Sequence, residues 1–199
     1  VVDLCPVGAL TSKPYTFKAR PWELKSTETI DVHDALGSNI RIDSRGRAVM
    51  RALPRIHEDV NEEWISDKTR HAVDGLSKNR LDRPYVKKKG KMVEASWQEA
   101  FQIIANKLKG LKGDQIAGLV GDLCDGESMY ALKQLLNSLG SENIDCRIDG
   151  SKVGAKHRVG YLFNSGVSGI AQADACLLIG TNPRLESPVL NARLRQRWL

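Results

Sequence analysis

Over the first eighty residues, short apolar spans alternate with polar turns. Thr29-Ile30-Asp31-Val32 and Asn39-Ile40-Arg41-Ile42-Asp43 have a period of two, the pattern of strands that bury one face. Ser44-Arg45-Gly46-Arg47 separates the second of these from Ala48-Val49-Met50 and predicts a turn between strands. Residues 62–76, which carry Trp64, predict a short helix or loop. Residues 21–78 are therefore expected to form a small, mostly antiparallel β domain.

From Ser96 the period changes. Ser96-Trp97-Gln98-Glu99 is a capping box, with Glu three residues after Ser. Trp97, Phe101, Ile104 and Leu108 then fall on one helix face, and Gly110 supplies the stop. Gln115-Ile116-Ala117-Gly118-Leu119-Val120-Gly121 predicts an apolar strand bounded by glycine. Met129, Leu132, Leu135, Leu136 and Leu139 predict a second helix ending at Gly140. Asn143-Ile144-Asp145-Cys146 predicts a short strand, and residues 173–180 a longer apolar one. Ser187-Pro188 opens a third helix, with Ser as N-cap and Pro at the first helical position. Leu190, Leu194 and Trp198 share a face of it. Alternating helices and buried strands predict an α/β fold with a parallel sheet in the C-terminal part. Residues 79–95 lie between the two patterns as a linker.

Composition changes this picture little. The chain has 199 residues, 41% hydrophobic and 27% charged, within the range of ordinary globular proteins. The longest apolar runs, such as Ala175-Cys176-Leu177-Leu178-Ile179, fall far short of the roughly 20 residues of a spanning helix, so no direct membrane insertion is expected. The net charge is +6 with charges interspersed. Lys87-Lys88-Lys89-Gly90-Lys91 is read as a solvated loop, because no aromatic platform accompanies it, and no nucleic-acid partner is expected. The chain opens on Val1, no charged segment precedes an apolar one, and the sequence is read as a piece of a longer polypeptide.

The candidate chemistry rests on cysteine. Cys5, Cys124, Cys146 and Cys176 form no closely spaced pair, which argues against a zinc site, a thioredoxin-type site or a disulfide framework within the chain. Cys176 and Cys146 are expected to be buried small hydrophobes in strands. Cys124 lies between Asp122 and Asp125, which would disfavour its thiolate. Cys5 differs through its neighbours, Cys5-Pro6-Val7-Gly8. A Cys-Pro pair ends the bacterial ferredoxin cluster motif, where the last cysteine ligates the other cluster. Pro6 fixes φ, and Gly8 lets backbone N–H groups approach a sulfur. A buried thiol beside a turn is the alternative reading.

Other motifs are absent or incomplete. There is no Gly-x-Gly-x-x-Gly and no phosphate loop. His57-Glu58-Asp59-Val60-Asn61 lacks the second histidine of a zincin helix, and Gly166-Val167-Ser168-Gly169 falls one residue short of a nucleophile elbow. His33, His57, His71 and His157 are read as surface or internally satisfied histidines. Gly180-Thr181-Asn182-Pro183 follows an expected strand and precedes a helix, where open α/β sheets bind ligands. A helix N-terminus there favours an anion, and Glu186 opposes one. Ligand loop and plain turn both stay open.

Several segments together resemble one family: Cys5-Pro6-Val7-Gly8-Ala9-Leu10-Thr11, Ala19-Arg20-Pro21-Trp22-Glu23, Gly37-Ser38-Asn39-Ile40, Met50-Arg51-Ala52-Leu53-Pro54-Arg55 and Asn61-Glu62-Glu63-Trp64-Ile65-Ser66-Asp67-Lys68-Thr69-Arg70. This is the large iron–sulfur (G-type) subunit of NADH:quinone oxidoreductase, respiratory complex I, in its alphaproteobacterial and mitochondrial branch. Ala173-Asp174-Ala175-Cys176-Leu177-Leu178-Ile179-Gly180-Thr181-Asn182-Pro183-Arg184 resembles the matching segment of that subunit and of the wider molybdopterin oxidoreductases.

The resemblance implies the following. Cys5 would be the last ligand of a [4Fe–4S] cluster whose other cysteines precede Val1, together with a further [4Fe–4S] and a [2Fe–2S] cluster. Residues 1–20 would be the tail of that ferredoxin-like domain. Residues 21–78 would match a small domain that carries its own [4Fe–4S] cluster in molybdopterin enzymes. Here His33, Ser38 and Ser66 stand in that region without cysteine, so no cluster is expected in it. Residues 96–199 would begin the molybdopterin oxidoreductase-like domain, as a scaffold without molybdenum. The implied partners are the other subunits of the peripheral arm of complex I. The implied place is peripheral, on the cytoplasmic side of a bacterial inner membrane or the matrix side in mitochondria. The alternative is a molybdopterin-dependent oxidoreductase of the formate-dehydrogenase type.

Overall fold

Three strands form a meander in the computed structural model, which describes every residue except Val1, Asp122, Ile148, Asp149, Ser151, Val153 and Ala155. The strands are β1 (Lys25–Ile30), β2 (Asn39–Arg45) and β3 (Ala48–Pro54), antiparallel in the order β1-β2-β3. The register shifts between Asp43 and Ser44, a bulge just before the tight turn that contains Gly46. Ile40 and Ala52 are buried in this sheet, as the period of two requires. The remaining interior is polar: Asp31, Ser38, Asp43, Asn61, Ser66 and Thr69 are all buried. Buried polar groups must be hydrogen-bonded, so side-chain networks organise this domain as much as apolar contact does.

Helix α1 (Asp67–His71) follows, capped by Ser66, whose Oγ accepts the Thr69 N–H at 3.2 Å. The chain forms two compact units. One contains residues 1–80 and 162–199, the other residues 81–161. In the first unit, the C-terminal segment contributes α4 (Pro183–Glu186) and α5 (Pro188–Trp198). Val189 and Ile170 are buried there. The Arg193 guanidinium donates to the Glu58 carbonyl and pairs with Glu62 at 3.5 Å, tying α5 to the segment after β3.

The second unit starts with a hairpin of β4 (Tyr85–Lys88) and β5 (Lys91–Glu94). Lys89 and Gly90 both have positive φ (48° and 82°), as a two-residue hairpin turn matched to strand twist requires. The stretch read as a linker therefore contains a hairpin, and its lysines flank the turn. Helix α2 (Trp97–Leu108) is capped as expected, with the Glu99 N–H donating to Ser96 Oγ at 3.1 Å. Its apolar stripe is formed but largely exposed: Trp97, Phe101 and Ile104 each keep more than half their surface in solvent. Helix α3 (Gly126–Ser138) buries Leu136 beside β6 (Gly118–Leu119), which pairs in parallel with β7 (Ile144–Asp145).

The structure corrects the sequence reading in four further places. The parallel ladder is limited to the short β6–β7 pair among the described residues. Residues 173–180 form no strand, and Leu177 and Ile179 are 84% and 79% exposed. An apolar run becomes a buried parallel strand only between flanking strands, and among the described residues none pairs with this one. Cys176 in this run is accordingly exposed rather than buried, and Cys146, just past β7, is exposed as well. Ser187 does not cap α5: its Oγ is buried with no hydrogen-bond partner. Among the described residues, no helix is long and apolar enough to cross a membrane.

Close backbone approach fixes one glycine. A Cβ on Gly113 would lie 1.8 Å from the Gly140 carbonyl oxygen, against backbone that cannot yield like a side chain. Gly113→Ala is expected to lower stability by about 2 kcal/mol or more, read from the denaturant midpoint. A loss below about 0.5 kcal/mol would show that this approach relaxes freely.

Candidate functional site

Cys5 follows a short 3-10 turn (Val2–Leu4) and donates its own N–H to the Val2 carbonyl at 3.2 Å. Pro6 ends the turn, and Gly8 takes φ +67°, which folds residues 7–10 back toward the sulfur. The Leu10 N–H then points at Cys5 Sγ, 3.5 Å away. The Cys5 thiol is held below its ordinary pKa. The Leu10 N–H is the largest cause; desolvation opposes it, and the backbone N–H groups of Val7, Ala9 and Gly8 add to the lowering. A backbone N–H aimed at a sulfur, with further amides close by, stabilises a thiolate, the form that ligates metal.

The side chain is half-buried, while Leu4, Val7 and Leu10 around it are exposed. Asp3, two residues earlier, pairs with Arg70 of α1 at 2.6 Å, which fastens this segment to the β domain. Sequence reasoning did not find that pair; an acid two residues before the cysteine was its only local sign.

The residue types around Cys5 suit an iron–sulfur thiolate ligand. Among the described residues, no group of three or more His, Cys, Asp or Glu side chains is placed to hold a metal ion. Cys124 is exposed, as are Cys146 and Cys176. The four histidines are exposed.

Ser38 and Ser66, which stand in the region noted in the sequence, are both buried, and His33 is not. Ser66 Oγ lies 2.9 Å from Thr69 Oγ1, which donates to Asp31 Oδ2 at 2.6 Å. The carboxylates Asp31 and Asp34 went unnoticed in the sequence. Asp31 occupies an inward position in a period-two pattern, and that polar interruption was the available signal.

The Gly180–Pro183 loop is closed on itself. Glu186 accepts the Thr181 hydroxyl at 2.7 Å and the Asn182 N–H at 2.8 Å, and these two donors hold its carboxyl below the usual range. An anion at this loop would compete with a carboxylate already in place.

The sequence comparisons agree with this architecture. Residues 80–199 match the family described as molybdopterin oxidoreductase. The chain belongs to that family. Residues 24–74, the β domain with α1, match the "NADH-ubiquinone oxidoreductase NDSU1/NuoG-like, 4Fe-4S domain". Over 197 residues the chain is 56% identical to the G-type subunit of NADH-quinone oxidoreductase from Rickettsia conorii, covering 99% of this chain and 29% of that protein. It is 54% identical to the mitochondrial NADH dehydrogenase [ubiquinone] iron-sulfur protein 1 of Solanum tuberosum, covering 98% of this chain and 27% of that one. A mitochondrial 78 kDa subunit of NADH-ubiquinone oxidoreductase from Neurospora crassa is also 54% identical, over 100% of this chain and 28% of its own length. The chain thus spans under a third of the relatives it matches.

Proposed function

We propose that this chain is a segment of the G-type iron–sulfur subunit of NADH:quinone oxidoreductase, in which electrons from NADH pass through iron–sulfur clusters toward quinone. The observation that carries the reading is likeness at 56% identity across nearly the whole chain, with Cys5 presented under converging amides. Cys5 is one thiolate ligand of a [4Fe–4S] cluster, and the other ligands come from outside the described residues. The Leu10 N–H hydrogen-bonds its sulfur, one of the ways a protein sets cluster potential. The β domain and the molybdopterin oxidoreductase-like part act as scaffold. A further [4Fe–4S] and a [2Fe–2S] cluster belong to the rest of the subunit, with the other subunits of the peripheral arm as partners. The place is the cytoplasmic or matrix face of the membrane.

Cys5→Ser in the assembled enzyme is expected to remove or strongly weaken one low-potential [4Fe–4S] EPR signal and leave the others. An unchanged spectrum takes Cys5 out of the ligand set.

The match of residues 80–199 is also what the alternative, a molybdopterin-dependent oxidoreductase of the formate-dehydrogenase type, would give, but the relatives at 56% and 54% identity favour the first reading. Elemental analysis of the full-length protein separates the two. Stoichiometric molybdenum or tungsten supports the second, and iron with neither supports the first.

A further inference from the structure

The turn between β1 and β2 encloses oxygen atoms that the protein leaves without a partner. The Asp31 N–H donates to the Ser38 carbonyl at 2.8 Å, continuing the register of Ile30 opposite Asn39. Asp31 and Ser38 are therefore directly opposed, with side chains on the same face and Cβ atoms about 5 Å apart. That face is interior: Asp31 is 3% exposed and Ser38 0%. Helix α1 covers it with Thr69 and Ser66, both buried, and Thr69 Oγ1 bonds Asp31 Oδ2. Asp31 Oδ1 accepts the His33 N–H at 3.2 Å, and Asp34 Oδ1 accepts the Leu36 N–H at 3.0 Å. Two atoms remain. Ser38 Oγ and Asp34 Oδ2 are both buried, and neither has a hydrogen-bond partner.

Charge makes this arrangement costly as it stands. Burial pushes the Asp34 carboxyl above its ordinary range, the Leu36 N–H pulls it down, and the nearby Asp31 charge pushes it up again. Lys68 lowers it further through space, but its ammonium bonds the Glu186 carbonyl at 3.5 Å rather than either carboxylate. A buried carboxylate oxygen within range of a second carboxylate's charge is best satisfied by a proton or a cation. The donors are oxygen only, two carboxylates and a hydroxyl, without sulfur or imidazole. That set suits hard ions and not zinc or iron.

We propose that the turn 31–38, closed by α1, binds a hard alkali or alkaline-earth cation through the carboxylates of Asp31 and Asp34 and the hydroxyl of Ser38. The ion joins the β1–β2 turn to α1 and satisfies both unpartnered atoms. The site uses none of the residues around Cys5 and does not depend on the electron-transfer reading.

The test uses the full-length subunit, treated with chelator and exchanged into choline chloride. Its thermal midpoint is followed while potassium, sodium, magnesium or calcium chloride is added at matched ionic strength. One of these ions is expected to raise the midpoint saturably, as binding to the folded state alone requires. Elemental analysis is expected to show that ion retained by the protein. Asp34→Asn and Ser38→Ala are expected to weaken the response by about tenfold in concentration or to abolish it. In choline alone, Asp34→Asn is expected to melt no lower than the wild type, because it removes a buried like charge. That distinguishes lost binding from lost folding. No saturable response to any of the four ions, or an undiminished response in both variants, overturns the proposal.

Discussion

Asn61→Ala is expected to destabilise the protein by about 3 kcal/mol or more, since several buried backbone groups lose their partner together. Asn61 is 0% exposed. Its Oδ1 accepts the Asn39 N–H at 2.9 Å, and its Nδ2 donates to the carbonyls of Arg55 and Trp64 at 3.1 and 3.2 Å. One amide thus joins the start of β2 to the chain that leaves β3 and runs toward α1. Alanine provides neither the acceptor nor the donors, and the site is sealed from water. Asn61→Asp is a useful companion: it keeps the shape and the acceptor toward Asn39 but turns an acceptor toward two carbonyls. Both variants should shift the denaturant midpoint strongly, and a loss below about 1 kcal/mol for alanine would show that water replaces the amide.

The second large effect is at Asp43. Its side chain is 1% exposed and binds Arg51 Nε at 2.7 Å, Arg41 Nε at 3.0 Å and Ser26 Oγ at 2.8 Å. Arg51 also stacks on the Tyr15 ring, 4.5 Å from guanidinium carbon to ring centre. Burial raises the Asp43 pKa, but hydrogen bonds from Arg51, Ser26 and Arg41 outweigh it, and the carboxyl sits below its ordinary range. Asp43→Ala is expected to cost about 3 kcal/mol at neutral pH, because it leaves two guanidiniums facing a buried gap.

The pH dependence follows from the direction of the shift. A carboxyl with a lowered folded pKa contributes stability that is present above the unfolded value of about 3.9. That contribution is lost as pH falls through the folded pKa. The gap between wild type and Asp43→Asn should therefore narrow below about pH 4, measured by urea unfolding along a pH series. A gap that stays constant through acid would mean that packing, and not the charge, carries the effect.

Local pattern was legible where one element's chemistry is self-contained. The period of two located β2 and only the end of β1, the turn at residues 44–47 pointed to β3, and Ser96 with Glu99 located the start of α2. The hairpin at Lys89 and Gly90 escaped notice because lysines on both strands hide the alternation of Tyr85 to Lys88. The stripe Trp97, Phe101 and Ile104 was correctly placed on one face, but a stripe does not name what covers it, and here most of it meets solvent. Residues 173–180 failed for the same reason: an apolar run specifies a wish to be buried, and a ladder needs neighbours. Around Cys5 the sequence suggested close amides through Pro6 and Gly8, and the Leu10 N–H supplies one. It gave no sign of Asp3 meeting Arg70, a contact across 67 positions that only the fold creates.

By itself the sequence determined the antiparallel β domain, the starts of α2 and α5, the family and the one cysteine with neighbours suited to a metal, because these depend on residues close together along the chain. Tertiary structure decided which polar residues turn inward. Asp31, Ser38, Asp43 and Asn61 have ordinary polar neighbours in the sequence, and each is buried only because a distant segment brings it, or leaves it wanting, a partner. Burial of a polar group is a property of the pair and its surroundings, and no local pattern carries it.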